Sequence, residues 1–224
     1  MKAQEEIFKL SEGDKMFSRN LGFNVYSIKG KDRIVKALSE LEIEPKSILE
    51  IGCSNGIRLN KLNKTFGSQC YGIDPSAIAI ANGKRKFKNI EIKVGTADLL
   101  EFTDNYFDMI IFGFCLYLCD RKHLFKIAYE VDRCLCDKGY IVIMDFYPSF
   151  PFENSYLHNE EIYCYKMKYD QMFLWNPVYN EYHFTLFSHE GSAKRDIPNE
   201  KVGITVLKKC EEFAYSFEPK FRDQ

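Results

Sequence analysis

Two glycines in the segment ILEIGCSNGIRL, residues 48–59, lie where chemistry could take place. Gly52 ends a short apolar run and Gly56 precedes residues with helical spacing, which is typical of a strand that leads through a tight loop into a helix. Because glycine lacks a Cβ atom, a ligand can lie close to the backbone of such a loop. The alternative interpretation is a plain strand-to-helix turn.

Two carboxylates follow the next two predicted strands. Asp74 ends the segment YGID, 18 residues beyond Gly56, and Asp98 ends the segment VGTAD. A carboxylate at the tip of the second strand suits ribose hydroxyl groups, and an adenine ring could lie against the end of the third. A dinucleotide loop would need glycines at positions 52, 54 and 57, but Ser54 and Ile57 occupy two of them. The spacing therefore favours a nucleoside without a pyrophosphate over NAD.

The elements that would position these residues alternate along the chain. Short β-branched runs predict strands at residues 47–51, 69–73, 90–94, 107–112 and 140–146. Helical patterns separate them, which predicts a three-layer α/β fold with a mainly parallel sheet. Lys138 and Gly139 predict a turn before the fifth strand. Two later runs, 181–189 and 202–208, have no helix between them and predict an antiparallel hairpin at one sheet edge.

Composition excludes several classes of function. The chain has 224 residues and a net charge of -1, so no basic field would attract nucleic acid or an anionic membrane. Its N-terminus does not resemble a signal peptide, and the uncharged run 109–119 is about half of a membrane helix. We therefore expect a cytoplasmic protein.

The eight cysteines do not form a metal-binding or disulfide pattern. No CxxC pair occurs, and no histidine pair stands at zinc spacing. Cys70, Cys115 and Cys119 lie in apolar segments, where a free thiol acts as a small hydrophobic group. We expect free structural thiols and no metal site.

These motifs, in this order, resemble the class I S-adenosylmethionine-dependent methyltransferases. The segment EIGCSNG, residues 50–56, resembles the family motif E-x-G-x-G-x-G, and Asp74 matches the acid after the second strand. Residues 105–110 (NYFDMI) resemble the opening of the fourth strand, and residues 135–140 (LCDKGY) resemble the turn before the fifth. The resemblance covers residues 45–146. It implies a Rossmann-like methyltransferase sheet, S-adenosylmethionine as cofactor and methyl transfer as activity.

The resemblance also implies a cofactor site. The loop 52–56 would pack against the methionine portion, and Glu50 would indirectly orient its amino group. Asp74 would hold the ribose, while Phe114 or Cys115 would line the wall behind the fourth strand. The implied cofactor-binding residues are Arg19, Glu50, Gly52, Cys53, Ser54, Gly56, Asp74, Pro75, Thr96, Ala97, Asp98, Phe114 and Cys115.

Three features of this implied site need an explanation. Ser54 replaces the middle glycine of the loop. Thr96 stands where many relatives carry the Asp that binds adenine N6, so either Asp98 takes that contact, which we favour, or Thr96 and the backbone of Ala97 do. Arg19 lies in a segment that relatives use as a lid, where its guanidinium could bind the methionine carboxylate, although it could equally be a surface arginine.

The sequence divides into four predicted segments. Residues 1–30 form an N-terminal lid segment, and residues 31–146 form the S-adenosylmethionine-binding core. Residues 147–180 form an aromatic-rich cap insertion, and residues 181–224 form the closing strands of the same domain. The cap region predicts either a small secondary core or a stacking surface for a sugar, an aromatic ring or a nucleoside. Seven tyrosine and tryptophan residues within 27 positions carry this prediction: Tyr156, Tyr163, Tyr165, Tyr169, Trp175, Tyr179 and Tyr182.

The reaction requires an aligned acceptor and, where the acceptor carries a proton, a base. His158 and Asp145, just past and near the tip of the fifth strand, are the candidate bases. The first hypothesis is O-methylation of a small polar metabolite or sugar. The alternatives are a protein or peptide methyltransferase, a non-catalytic cofactor-binding protein with the same fold and, disfavoured by the loop, an NAD-dependent oxidoreductase.

Overall fold

The computed structural model describes residues 4–21, 27–28, 31–189, 200–212 and 214–215. Its strands are β1 Ser27–Ile28, β2 Lys31–Asp32, β3 Ser47–Ile51, β4 Gln69–Asp74, β5 Glu91–Val94, β6 Phe107–Gly113, β7 Leu135–Phe146, β8 Phe152–Ser155, β9 Tyr163–Lys166, β10 Tyr179–Ser188 and β11 Lys201–Lys209. Its α-helices are α1 Gln4–Ile7, α2 Gly13–Asn20, α3 Arg33–Glu40, α4 Ile57–Phe66, α5 Ala77–Lys86, α6 Leu124–Cys134 and α7 Gln171–Leu174. A π-helix, Phe8–Glu12, joins α1 to α2, and two 3-10 turns, Leu116–Leu118 and Arg121–His123, precede α6.

A seven-stranded sheet in the order β10-β11-β7-β6-β3-β4-β5 forms the centre of the protein. The strands from β3 to β7 pair in parallel, whereas β11 pairs antiparallel with both β7 and β10. The predicted three-layer, mainly parallel sheet with an antiparallel hairpin at one edge is therefore confirmed. The predicted cap segment contains the small hairpin of β8 and β9 and the short helix α7.

The predicted turn at Lys138 and Gly139 lies inside strand β7 and does not precede it. Strand β7 already begins at Leu135, which pairs with Phe107 of β6. The next pair in register joins Met109 to Tyr140, so the intervening residues form a large bulge in which Lys138 has a φ of 66°. The backbone pairing on both sides of the bulge explains why this segment belongs to the strand.

Side chains of the central strands alternate between two apolar layers. Met109 and Ile111 of β6 pack on the side of α3, α4 and α5, while Ile110 and Phe112 pack on the side of α6 and α7. Strands that are covered on both faces must be apolar at nearly every position, which explains the hydrophobic run 109–112 of β6. Among the described residues, no helix has the length and apolar character to cross a bilayer.

A buried ion network joins the first strand of the core to two helices. Arg58, in the first turn of α4, donates from Nε to Asp32 over 2.9 Å and from Nη1 to Glu50 at the end of β3. All three side chains are at most 3% exposed. Asp32 also accepts from the backbone N–H of Ile34, which caps the N-terminus of α3. The network therefore fixes both helices against the strand that carries the glycine loop.

Burial raises the pKa of Glu50 from 4.5 to about 7, although the charge of Arg58 acts in the opposite direction. A carboxyl group whose folded pKa exceeds its unfolded value binds more protons in the folded state. It therefore costs stability as the pH rises from its unfolded pKa to its folded pKa. Arg58 limits this cost by stabilising the ionised form of Glu50.

We expect Arg58→Met to lower the free energy of unfolding by about 3–5 kcal/mol at pH 8, because buried carboxylates then lack their cation. The loss should be smaller at pH 5, where Glu50 is protonated in both proteins. Chemical denaturation at the two pH values measures the difference. Lys36→Met, which removes an exposed pair with Glu40, is the control and should cost less than about 1 kcal/mol. Equal small losses for the two variants would contradict the assigned role of Arg58.

Candidate functional site

A cavity of about 360 Å³ lies against the carboxyl ends of β3, β4, β5 and β6. Parallel sheets bind ligands at this edge, beside the strand where the order of connections reverses, and here that strand is β3. Strand ends, the loops that follow them and the N-terminal helices line the cavity. The lining residues are Glu5, Phe8, Gly13, Met16, Phe17, Asn20, Leu21, Ile51, Gly52, Ser54, Asn55, Ile57, Ile73, Asp74, Pro75, Lys86, Gly95, Thr96, Ala97, Phe114, Cys115, Leu118 and Cys119.

The glycine loop forms the floor of the cavity at the end of β3. The backbone N–H groups of Gly52 and Cys53 both donate to the carbonyl of Ile73, over 2.9 and 3.0 Å, which anchors the loop to β4. Gly52 has a φ of +74°, and a Cβ atom there would lie 2.7 Å from Cβ of Cys115. Glycine at position 52 is therefore required both by the backbone and by the packing of the cavity wall.

Ser54 also adopts a left-handed backbone conformation, with a φ of 50°. This conformation favours glycine, which agrees with the resemblance to a motif that has glycine at this position. The backbone N–H of Ser54 donates to Oδ2 of Asp74 over 2.8 Å. The serine is thus accommodated in the loop, and its backbone fixes the carboxylate.

Asp74 joins the glycine loop to the start of α5. Besides the contact with Ser54, its Oδ1 accepts from the backbone N–H of Ser76 over 2.9 Å. A carboxylate has about four acceptor positions, so two remain for hydroxyl groups of a ligand in the cavity. Burial raises the pKa of Asp74 to about 6, and the two backbone donors partly oppose this shift. The site fits a nucleoside with an uncharged base, because it combines the glycine loop, this carboxylate and a lining that is otherwise mostly apolar.

The N-terminal helices form the wall opposite the strand ends, and we call residues 4–21 the N-terminal wall. Asp14 fixes this wall to α5, because its Oδ1 accepts from Oγ of Ser76 over 2.6 Å and from the backbone N–H of Ile78 over 3.0 Å. At its other end, Gln4 donates to the carbonyl groups of Leu118 and Tyr163. The wall therefore lies over the cavity, and residues 1–3, 22–26 and 29–30 of the predicted lid segment lie outside the described residues.

Most of the predicted cofactor-binding residues meet at this cavity. Those that line it are Gly52, Ser54, Asp74, Pro75, Thr96, Ala97, Phe114 and Cys115. Gly56 and Cys53 belong to the same loop but do not line the cavity: Gly56 is the N-cap residue that precedes α4, and Cys53 packs against Gly72. Glu50 lies beneath the loop in the ion network with Arg58.

Two predicted contacts are placed elsewhere by the structure. Arg19 does not line the cavity, since its Nη2 donates to Glu12 over 2.5 Å and to the hydroxyl of Tyr156 over 2.9 Å. Its guanidinium thus attaches the N-terminal wall to the cap hairpin. Asp98 does not line the cavity either, because it binds the side chain of Thr96 and lies 3.5 Å from Nζ of Lys126.

The structure brings neither candidate base to the cavity. His158 is exposed and contacts the ring of Tyr156, with 5.4 Å between the ring centroids. Asp145 is 2% exposed, and its Oδ2 accepts from the backbone N–H groups of Leu116 and Tyr117 over 3.0 and 3.3 Å. Burial raises the pKa of Asp145 to about 7. Asp145 therefore holds the 3-10 turn that carries the cavity residue Leu118.

The predicted stacking surface is also absent from the cavity. None of the seven aromatic residues between positions 156 and 182 named above lines it. Tyr169 and Tyr179 are buried in the apolar layer on the α6 side of the central sheet, and Tyr156 is buried in a smaller cluster with Phe8. Trp175 is 73% exposed and donates to the carbonyl of Met172.

Sequence reasoning missed the residues of the N-terminal wall and of the turn after β6. Glu5, Phe8, Met16 and Phe17 line the cavity from the wall, and Leu118 lines it from the turn. The spacing of Phe8, Met16 and Phe17 does not place all three on one helical face, so their common role gives no local signal in the sequence.

Comparisons with known proteins identify the same segments. Residues 48–139 match the family model described as a methyltransferase domain. A demethylmenaquinone methyltransferase of Thermotoga maritima is 27% identical over 217 residues, which cover 95% of this chain and 88% of that protein. A fatty-acid O-methyltransferase of Mycolicibacterium smegmatis is 29% identical over 144 residues, 63% of this chain and 48% of that protein.

The fold is similar to solved structures as well. The crystal structure of an S-adenosylmethionine-dependent methyltransferase from Methanosarcina mazei superposes with a TM-score of 0.62 at 20% identity. The match covers 79% of this chain and 98% of that one. The segment matched by the family model contains the glycine loop, Asp74 and the ends of β5 and β6, which together form one side of the cavity.

We expect the affinity for S-adenosylhomocysteine to fall as the pH drops below about 6, because protonated Asp74 loses acceptor positions for the ribose. The dissociation constant should be constant between pH 7 and pH 8 and rise by up to about tenfold for each pH unit below 6. Calorimetric titration at several pH values measures this dependence. Asp74→Asn should bind more weakly with no such dependence, and equal affinity of the unaltered protein at pH 5 and pH 8 would contradict the role of Asp74.

Proposed function

Because the chain is a class I S-adenosylmethionine-dependent methyltransferase, we propose that it methylates a small organic acceptor that binds beneath the N-terminal wall. The observation that carries this proposal is the N-terminal wall, whose residues Phe8, Met16 and Phe17 line the cavity opposite the strand ends. A peptide or protein acceptor would need an open cleft at this edge. Because the wall covers part of this edge, it favours a small molecule over a polypeptide.

The lining of the cavity bears on the chemistry of the acceptor. The cavity has apolar surfaces, which are formed by Phe8, Met16 and Phe17 of the N-terminal wall together with Phe114 and Leu118. Such surfaces favour an acceptor with an apolar or aromatic body and few polar groups. A free sugar would leave its hydroxyl groups without partners against these side chains.

The relatives support the same acceptor class. Demethylmenaquinone and a fatty acid, the acceptors named for two of them, are largely apolar. The sugar hypothesis depended on the aromatic residues of the cap region, which do not line the cavity. We therefore propose O-methylation of a hydroxyl or carboxyl group on an apolar molecule, with a polar metabolite or sugar as the less favoured acceptor.

The residues of this chain would bind, orient and enclose the reactants. When bound, S-adenosylmethionine would supply a sulfonium-activated methyl group to the acceptor oxygen and leave as S-adenosylhomocysteine, and the proton of a hydroxyl acceptor would pass to water. The glycine loop and Asp74 would position the cofactor, and the N-terminal wall would hold the acceptor so that the two reacting atoms stay aligned.

We expect methyl transfer from isotopically labelled S-adenosylmethionine to apolar hydroxylated aromatics or fatty acids, with little transfer to free sugars. Mass spectrometry of a mixed acceptor panel identifies the labelled product. Asp74→Ala should reduce the yield at least about tenfold, because it removes a charged hydrogen-bond acceptor worth roughly 1.5–3 kcal/mol. Labelling of sugars alone would overturn the proposed acceptor class. Cofactor binding without transfer to any member of the panel would favour the non-catalytic alternative.

A further inference from the structure

A glutamate of the N-terminal wall borders the cavity with one carboxylate oxygen held by hydrogen bonds and the other unpaired. Glu5 of α1 lines the cavity, and its side chain is 13% exposed. Its Oε1 accepts from the backbone N–H of Asp120 over 2.9 Å and lies 3.1 Å from Nδ1 of His123. Its Oε2 is buried and has no hydrogen-bond donor among the residues that the structure describes. A buried carboxylate oxygen without a donor is costly, so this position favours a ligand that donates a hydrogen bond.

Glu5 and the end of strand β5 line the same cavity. Glu5 is held by Asp120 and His123, which follow the lining residue Cys119. Thr96, which also lines the cavity, donates a hydrogen bond from its side chain to Asp98. The charges of Glu5 and Asp98 both act on Cys119, so the two carboxylates lie near the same lining residue.

We propose that Glu5 accepts a hydrogen bond from the exocyclic 6-amino group of the cofactor's adenine. The inference rests on the proposed placement of the nucleoside, with its ribose at Asp74 and its base against the end of β5. An amino group offers the donor that Oε2 lacks, whereas a 6-oxo group would present a second acceptor to the carboxylate and be repelled.

The other carboxylate near this edge is less suited to the contact. Asp98 does not line the cavity, and its side chain is engaged by Thr96 and by Lys126. Thr96 stands at the position where many class I methyltransferases, the family that this sequence resembles, carry an Asp. The carboxylate that recognises adenine thus comes from the N-terminal wall instead of the loop after β5.

The test compares the binding of S-adenosylhomocysteine and S-inosylhomocysteine, which differ in the 6-amino and 6-oxo groups of the base. The unaltered protein should prefer the adenine compound at least about tenfold in calorimetric titration, as expected for a hydrogen bond to a charged group. Glu5→Ala should bind the adenine compound about tenfold more weakly and lose the preference. Glu5→Gln keeps an acceptor for the N–H of Asp120 and presents an amide N–H to the cavity, so it should shift the preference toward the inosine compound.

Two controls separate this role from general effects on folding and charge. Glu6→Ala removes an exposed carboxylate from the same helix and should keep the full preference, as should Asp98→Ala. A Glu5→Ala protein that keeps the preference, or an Asp98→Ala protein that loses it, would overturn the assignment of Glu5. Failure of the unaltered protein to bind either compound would overturn the cofactor placement itself, and with it this inference.

Discussion

The buried guanidinium of Arg58 is the interaction on which the geometry of the site depends. It pairs with Glu50 at the end of β3 and with Asp32 at the start of α3, so it fixes the point where the first core strand gives way to helix α4. Strand β6 leaves room for it, because a Cβ atom on Gly113 would lie 2.0 Å from its Nη1. The loop from Gly52 to Gly56 spans this same junction, so the ion pairs of Arg58 fix the path of its backbone.

The cavity is an apolar space surrounded by carboxylates that the backbone or a cation holds in place. Arg58 holds Glu50 by an ion pair, and the backbone N–H groups of Ser54 and Ser76 hold Asp74. Backbone N–H groups of the 3-10 turn after β6 hold Asp145. Burial raises the pKa of each of these acids. Glu50 and Asp145 shape the walls, while Asp74 and Glu5 face the cavity and can meet a ligand.

The sequence predicted the sheet and the glycine loop because their signals are local. A strand covered on both faces is a continuous apolar run, and a loop that requires a positive φ, such as that of Gly52, shows its glycines directly. The partners of long polar side chains leave no such signal. Arg19 reaches Tyr156 across 137 residues, and Asp14 reaches Ser76 across 62, so neither contact follows from spacing. Asp145 was similarly recognisable as a carboxylate near a strand tip, but its backbone partners were not.

The most direct test of this account is a crystal structure of the protein with S-adenosylhomocysteine. The account predicts the ribose hydroxyl groups on Asp74, the homocysteine against the loop from Gly52 to Gly56, and the adenine between Thr96 and Glu5. A ligand bound outside this cavity, or inside it with the adenine directed away from β5, would contradict it.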